Sequence, residues 1–364
     1  MFFCPVKIIF ASQALQKAKP ELQNLGKKAF VVTGKSSAKA SGALRDCQLI
    51  LSEFGIDYAV YDGISENPSL ESVIQGKELF KASSCDFIVA IGGGSPIDAA
   101  KAISLAAAND LQKNELYDTQ RFAKAYPLVA IPTTSGTGSE ATQYSVLTDY
   151  ETRRKAGLGH SLAFPRLAIL DPVYTLSSPS NVTLNTALDA LSHLLEGIYS
   201  KQRTPLVLPL IYKGIANLME YLPLVLNEPD NLLAREKLMQ ASLYGGMVIA
   251  QGSTTLQHSA GYPLTTDYGV PHGLANAMVM EAVMELYYPA IGSDLESLFS
   301  AVNTTRKGFL TWLNSLPFPK TLPLSDAFIV EAIPQIMASR NMALNPFPVS
   351  EYQVRLILEK IRTH

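Results

Sequence analysis

The hydrophobic positions of this 364-residue chain fall into two regimes. Up to about residue 178, short aliphatic runs alternate with stretches of helical periodicity. Phe30-Val31-Val32-Thr33, Tyr58-Ala59-Val60-Tyr61, Phe87-Ile88-Val89-Ala90-Ile91 and Leu128-Val129-Ala130-Ile131 each end at Gly, Asp or Pro and predict buried strands. Helices are predicted between them at about 43–54, 70–82 and 96–108. This alternation implies parallel β-α-β units in a doubly wound sheet. Beyond residue 178 the strand signals fade, and helical patterns at 184–199, 232–250 and 273–287 take over. The chain therefore reads as an α/β domain over 1–178 followed by an all-α domain over 179–364, with no internal repeat.

Composition narrows the function classes. Thirty Lys and Arg against 32 Asp and Glu leave a net charge of −2, which sets no field for nucleic acid or an anionic membrane. Charged residues at 17% and hydrophobic ones at 47% argue against disorder. The most apolar stretch, Thr204 to Leu226, is interrupted by Pro205, Pro209, Lys213, Glu220 and Pro223, and no run approaches the ~18 residues of a membrane helix. The N-terminus shows no basic region before an apolar segment and no small-residue cleavage site, so a soluble cytoplasmic protein is expected. Cys4, Cys47 and Cys85 are odd in number and far apart, and predict neither disulfides nor a thiolate metal site. The run around Leu206-Val207-Leu208-Pro209-Leu210 suits either a buried interface or core packing.

Doubly wound sheets bind ligands at the carboxyl ends of their strands, so the loops after Thr33, Ile91 and Ile131 carry the candidate chemistry. After Ile91 comes Gly92-Gly93-Gly94-Ser95-Pro96-Ile97-Asp98. The glycines permit close backbone approach; Ser95 suits an N-cap, Pro96 the first helical position and Asp98 a capping box. The N–H groups of that helix start form an anion site suited to a pyrophosphate, while capping alone would also account for Ser95 and Asp98. After Ile131, Pro132-Thr133-Thr134-Ser135-Gly136-Thr137-Gly138-Ser139-Glu140 offers hydroxyls as a second wall of the same cleft, or reads as an ordinary loop. The third loop is Gly34-Lys35-Ser36-Ser37-Ala38-Lys39. It lacks the acidic residue that bonds the ribose 2′-hydroxyl of NAD, and its lysines and serines accept a phosphate better than they reject one. By itself this loop is equally a solvated basic turn.

Five histidines are present, and His160 and His364 stand apart. Asp189 and His193 lie four residues apart on one face of an apolar helical pattern. His258 and His272 follow in the same half. One carboxylate and three imidazoles suit Fe²⁺, Zn²⁺ or Ni²⁺ better than Mg²⁺ or Ca²⁺. On spacing alone, Asp189–His193 is just as well a structural helix bond, with the other two histidines ordinary core or cap residues.

These motifs, taken together and in order from about residue 30 to 280, resemble the iron-containing (group III) alcohol dehydrogenases. The resemblance rests on Gly92-Gly93-Gly94-Ser95-Pro96-x-Asp98, Ile131-Pro132-Thr133-Thr134-x-Gly136-Thr137-x-Ser139-Glu140, Asp189-Ala190-x-x-His193, His258 with Pro263, and Pro271-His272-Gly273-x-x-Asn276. The last 80 residues or so match less distinctly. The resemblance implies an N-terminal Rossmann-like domain, an all-α metal domain and a coenzyme in the cleft between them. It implies Asp189, His193, His258 and His272 as metal ligands, with Fe²⁺ or Zn²⁺ bound. It places Gly93, Gly94, Ser95 and Asp98 at the pyrophosphate, Asn67 at the adenosine end, and Thr133, Thr134, Thr137 and Ser139 on the nicotinamide side. Lys155 reaches the coenzyme ribose, and Thr175 and Leu176 form another coenzyme-contacting turn. Where many members carry Asp, this chain has Gly34, followed by Lys35 and Ser36, which implies NADP(H) in preference to NAD(H). Where some members carry a second His, this chain has Tyr262, which would wall the substrate pocket.

The expected function is thus a metal-dependent, NADP(H)-linked alcohol dehydrogenase or aldehyde reductase for a small primary alcohol or diol and its aldehyde, working as a cytoplasmic homodimer. The alternatives are a glycerol dehydrogenase-like polyol oxidoreductase with zinc and NAD, and a dehydroquinate synthase relative. The latter needs a cationic site that the sparse charge near the metal motifs does not provide. A catalytically silent redox sensor would show a broken ligand set.

Overall fold

The computed structural model describes residues 2–152 and 154–363, so Arg153 and His364 lie outside the described residues. Eight strands are present among them: β1 (Lys7–Phe10), β2 (Lys28–Gly34), β3 (Asp57–Ile64), β4 (Phe87–Gly92), β5 (Leu128–Pro132), β6 (Tyr144–Asp149), β7 (Arg154–Gly159) and β8 (Leu167–Leu170). Six of them form a sheet in the order β1-β8-β5-β4-β2-β3, parallel throughout. The central strands are apolar on both faces because both are covered. Phe30, Val32, Ile88 and Ala90 pack into one core layer, and Ala29, Val31, Val89 and Ile91 into the other. The covering helices are α1 (Ala43–Glu53), α2 (Leu70–Ala82) and α3 (Gly94–Asn109).

Two strands and a hairpin go beyond the sequence reading. β8 has only four residues and pairs with β5 on one side and β1 on the other. β1 is an edge strand whose half-buried pattern carries no strong periodicity. β6 and β7 form a separate antiparallel hairpin, with Tyr144 opposite Gly159 and Thr148 opposite Lys155.

The second half is helical: α4 (Ser180–Tyr199), α5 (Leu208–Asn227), α6 (Leu232–Gly252), α7 (Leu256–Tyr268), α8 (His272–Ala301), α9 (Arg306–Ser315), α10 (Asp326–Met337) and α11 (Glu351–Lys360). Every residue of α4 from Ala187 to Tyr199 is buried, Asp189, Ser192, His193 and Glu196 included, and the helix packs against α5, α6 and α8. α8 breaks at Ile291, two residues after Pro289, whose ring removes a donor and clashes with the preceding turn. The apolar run at 206–210 divides between core and surface: Val207 is buried, Leu208 and Leu210 pack against the helical core, and Leu206 is exposed.

Candidate functional site

The sheet order decides where a ligand can enter. β3 and β4 flank β2 on opposite sides, so the connections leaving β2 and β4 diverge and open a crevice at Gly34 and Gly92. A cleft of about 1550 Å³ starts there and runs on to the helical half, reaching α4, α7 and α8. That exceeds the roughly 300–1,000 Å³ of a drug-sized pocket and suits a dinucleotide with a small second ligand.

At the outer end, Gly34, Lys35 and Ser36 line the cleft, as do Gly93, Gly94 and Ser95. The capping expected of Ser95 and Asp98 does not form. α3 begins two residues earlier, its N-cap is Gly93, and no side chain caps it. Its first-turn N–H groups are therefore left to a ligand. The Asp98 carboxylate instead accepts from Ser139 Oγ (2.5 Å) and Val146 N (2.9 Å), pinning the hydroxyl loop and hairpin to α3. The two loops are in close contact: a Cβ on Gly94 would lie 2.7 Å from Thr137 Cγ2, so only glycine permits this approach.

Below this wall lies a buried network. Lys101 donates to Ser139 Oγ (2.7 Å), Thr142 Oγ1 (3.1 Å) and Tyr144 O (2.6 Å), and burial pushes its ammonium down to about 8. Glu140 is also buried, and desolvation raises its carboxyl to about 7. A carboxyl that holds its proton more tightly folded than unfolded loses stability as pH rises through that interval. Measured against Glu140→Gln, the wild-type protein should therefore lose thermal stability between pH 4.5 and about 7 and lose no more above it. A melting-temperature difference between the two that is the same at pH 5 and pH 8 contradicts this.

Further in, Asn67 adopts a left-handed backbone (φ 53°) and accepts from Lys155 Nζ at 2.8 Å. Lys155 Nζ also lies 5.9 Å from the centre of the Tyr262 ring. Burial lowers the Lys155 ammonium, against the pull of Asp189, Asp98 and Glu66. Thr134, Thr137 and Ser139 line the cleft. Thr133, Thr175 and Leu176 are not part of its wall among the described residues. Thr133 is buried, with its N–H on Gly92 O (2.9 Å), and the Thr175 hydroxyl donates to Pro172 O (2.7 Å).

The inner end brings the four metal-type residues together from three helices. Asp189 Oδ1 lies 3.8 Å from His193 Nε2, 3.7 Å from His258 Nε2 and 3.7 Å from His272 Nε2. The ligand atoms of Asp189, His258 and His272 all lie within 4.8 Å of one another, a grouping that suits a shared ion, and His193 Nε2 approaches it through Asp189 Oδ1. Three aromatic nitrogens and one oxygen form a donor set for a first-row divalent metal. Burial alone would raise the Asp189 carboxyl, but His193, His272 and His258 outweigh it and hold it well below the carboxylate range. Burial lowers His193 and, together with Lys155, takes His272 well below 6.5, so both present neutral lone pairs. The Tyr262 ring stacks on His272 at 5.5 Å and stands edge-on to His258 at 6.4 Å, closing one side of the cluster. His160 is remote from the cluster and instead caps the turn at Leu162 through Nδ1 (3.2 Å).

Two residues at this site had no role in the sequence reading: Glu196 went unremarked, and Asn276 stood only as the last residue of the motif Pro271-His272-Gly273-x-x-Asn276. Asn276 Nδ2 lies 3.3 Å from Asp189 Oδ1, 3.2 Å from His258 Nε2 and 3.4 Å from His272 Nε2. Glu196, fully buried, bonds His258 Nδ1 from behind. The signal for Glu196 was an acid within the apolar run Leu194-Leu195-Glu196-Gly197-Ile198, one helical turn past His193.

The comparisons with known proteins agree with this geometry. The sequence profile of the iron-containing alcohol dehydrogenases matches residues 5–172, and that of the C-terminal part of the same enzymes matches residues 183–308. The chain is similar to a NAD-dependent methanol dehydrogenase of Bacillus methanolicus, at 32% identity over 78% of this chain and 74% of that protein. It is also similar to an NADPH-dependent butanol dehydrogenase of Clostridium saccharobutylicum, at 32% identity over 78% of this chain and 73% of that one. Its fold superposes on the crystal structure of an iron-containing alcohol dehydrogenase from Thermotoga maritima with a TM-score of 0.93, at 37% identity and 99% coverage of both chains.

Proposed function

The chain belongs to the iron-containing alcohol dehydrogenase family, and from that premise we propose that it is an NADP(H)-linked enzyme interconverting small primary alcohols or diols and their aldehydes. One observation carries the proposal: four convergent metal-type donors stand at the inner end of a cleft whose outer end is an uncapped helix start beside a basic turn. In this reading Asp189, His193, His258 and His272 hold Fe²⁺ or Zn²⁺. When bound, the metal supplies Lewis acidity at the substrate oxygen, and the nicotinamide supplies or takes the hydride. The α/β half (1–178) binds and aims the coenzyme, and the helical half (179–364) holds the oxygen end of the substrate.

The chain's own residues do the positioning. The uncapped amides of Gly93, Gly94 and Ser95 receive the pyrophosphate. Asn67 lies at the adenosine end, Lys155, bonded to it, reaches the ribose, and Thr134, Thr137 and Ser139 face the nicotinamide, while Asp98 fixes Ser139 in place. Tyr262, stacked on His272, excludes water from one side of the reacting carbon. A cytoplasmic homodimer belongs to the same reading and rests on family resemblance.

The turn at 34–39 favours NADP(H). Lys39 is engaged by Asp62 at 3.1 Å, and Asp62 is not part of the cleft wall, whereas Lys35 and Ser36 line it. Lys35 forms no direct ion pair among the described residues, although its charge acts on Asp62 from further off. With metal-loaded protein and butanal, kcat/KM for NADPH should exceed that for NADH. The reverse order contradicts the coenzyme assignment, and turnover confined to polyols contradicts the substrate assignment. Gly34→Asp sharpens the test, because a Cβ there meets nothing closer than Ile64 O at 3.4 Å. The added carboxylate should lower kcat/KM for NADPH by about tenfold or more through like-charge repulsion and leave NADH nearly unchanged. An unaltered NADPH/NADH ratio places the 2′-phosphate elsewhere.

A further inference from the structure

The carboxylate behind His258 has a more specific role than filling the core. Glu196 sits on α4, seven residues after Asp189, fully buried. Its Oε1 accepts from Thr255 N (2.6 Å), Thr255 Oγ1 (2.8 Å) and His258 N (3.3 Å), and its Oε2 is bonded to His258 Nδ1. Three of those contacts fall on Oε1 and one on Oε2, which faces His258 Nδ1, whereas Asp189 Oδ1 faces Nε2 across the ring. Glu196 is therefore not a ligand of the cluster. Because an ionised carboxylate only accepts, the proton between them belongs to Nδ1, which leaves Nε2, 3.7 Å from Asp189 Oδ1, as the ring's ligand atom. Asn276 Nδ2, 3.2 Å from His258 Nε2, occupies the place of a donor to that same atom. His272 has no such support: its Nδ1 is buried without a hydrogen-bond partner among the described residues.

We infer that Glu196 is a positioning residue that fixes the tautomer and ring orientation of His258 and so sets the affinity of the Asp189/His193/His258/His272 cluster for a divalent metal. The inference rests on the metal reading above. Three physical effects act in the same direction. The Nδ1 bond holds the ring in one of its rotational positions, and the carboxylate increases the basicity of Nε2. With Asp189, Glu196 supplies two negative charges against a buried dication, so its loss leaves the loaded site with uncompensated positive charge. Glu196 also takes the place of a side-chain cap on α7, since Thr255 makes no cap bond of its own. The residue that orients the imidazole thereby fixes the helix that carries it.

The test measures Zn²⁺ affinity by chelator competition, and the visible spectrum of the Co²⁺-loaded protein, for wild type, Glu196→Gln and Thr255→Val. Glu196→Gln is expected to bind Zn²⁺ about 10–100-fold more weakly and to shift the Co²⁺ bands. Thr255→Val removes one bond to the same carboxylate without touching the ring; it should lower the melting temperature of the metal-free protein and keep Zn²⁺ affinity within about twofold. Glu196→Asp, which keeps the charge but withdraws it from Nδ1, should also bind weakly and replaces Glu196→Gln if that variant does not fold. Wild-type Zn²⁺ affinity in a folded Glu196 variant overturns the inference, as does an equal loss in Thr255→Val, which would make the effect one of helix seating. If the wild-type protein itself binds neither Zn²⁺ nor Co²⁺, the metal reading falls, and this inference with it.

Discussion

His258→Ala is expected to abolish stoichiometric metal and to reduce aldehyde turnover by about a thousandfold or more, while coenzyme binding to the α/β half survives. Loss of a Lewis acid at the reacting oxygen removes several kcal/mol of barrier lowering, and each ~1.4 kcal/mol is tenfold in rate. The substitution also strips the Nδ1 partner from Glu196, which is fully buried, and one of three imidazoles from Asp189. Breaking such a buried pair from one side costs about 3–5 kcal/mol, so α4 and α7 should loosen as well. Elemental analysis, steady-state turnover and coenzyme fluorescence on one preparation separate these effects. Near-wild-type turnover in a preparation shown to lack metal would falsify the assignment of the cluster.

A single methyl group further away should have a comparable consequence. Gly273 is the second residue of α8, directly after His272, and rests against α4. A Cβ at that position would stand 1.9 Å from Asn185 O and 2.8 Å from Asp189 N. Both are backbone atoms, so the clash cannot be relieved by turning a side chain. In Gly273→Ala, the first turn of α8 must retreat from α4, taking His272 away from Asp189. Overpacking of this kind costs about 1–3 kcal/mol. The larger effect is on the site, where a shift of about 1 Å in a positioned group costs on the order of a hundredfold. A lower melting temperature together with Zn²⁺ binding weakened at least tenfold is the expected result. Unchanged melting and unchanged Zn²⁺ affinity would show that the helix crossing tolerates the methyl and does not set the ligand geometry.

Three of the four strands legible in the sequence are buried on both faces; the fourth, β3, was expected to be buried but is an edge strand, with Tyr58 and Val60 exposed. Val31, Val89 and Val129 belong to unbroken apolar runs because helices cover each side of the sheet. β8 was not legible, because Leu167-Ala168-Ile169-Leu170 is too short to separate strand from helix by period; its pairing with β1 is a contact between residues about 160 positions apart. The pattern of Ser95 and Asp98 suggested a capping box, and local chemistry alone would support one. Tertiary contacts prevailed: Asp98 gains Ser139 Oγ and Val146 N, and α3 begins at Gly94 with its N–H groups uncapped.

At the site, Asp189 and His193 could be placed on one helical face from their spacing, but the convergence of His258 and His272 could not. It depends on α7 and α8 crossing α4, which Gly273 permits and no local pattern encodes. Glu196 was missed, and Asn276 was given no role, for a related reason. An acid among leucines and an amide one turn after a histidine acquire meaning only once the lone pairs they face are known.

The most direct test of the account is a titration of chelator-stripped protein with Fe²⁺ under anaerobic conditions, following bound metal and butanal-dependent NADPH oxidation in the same samples. The account predicts that the two rise together and level off at one ion per chain. Turnover that is present before metal is added, or absent after one ion per chain has bound, would contradict it.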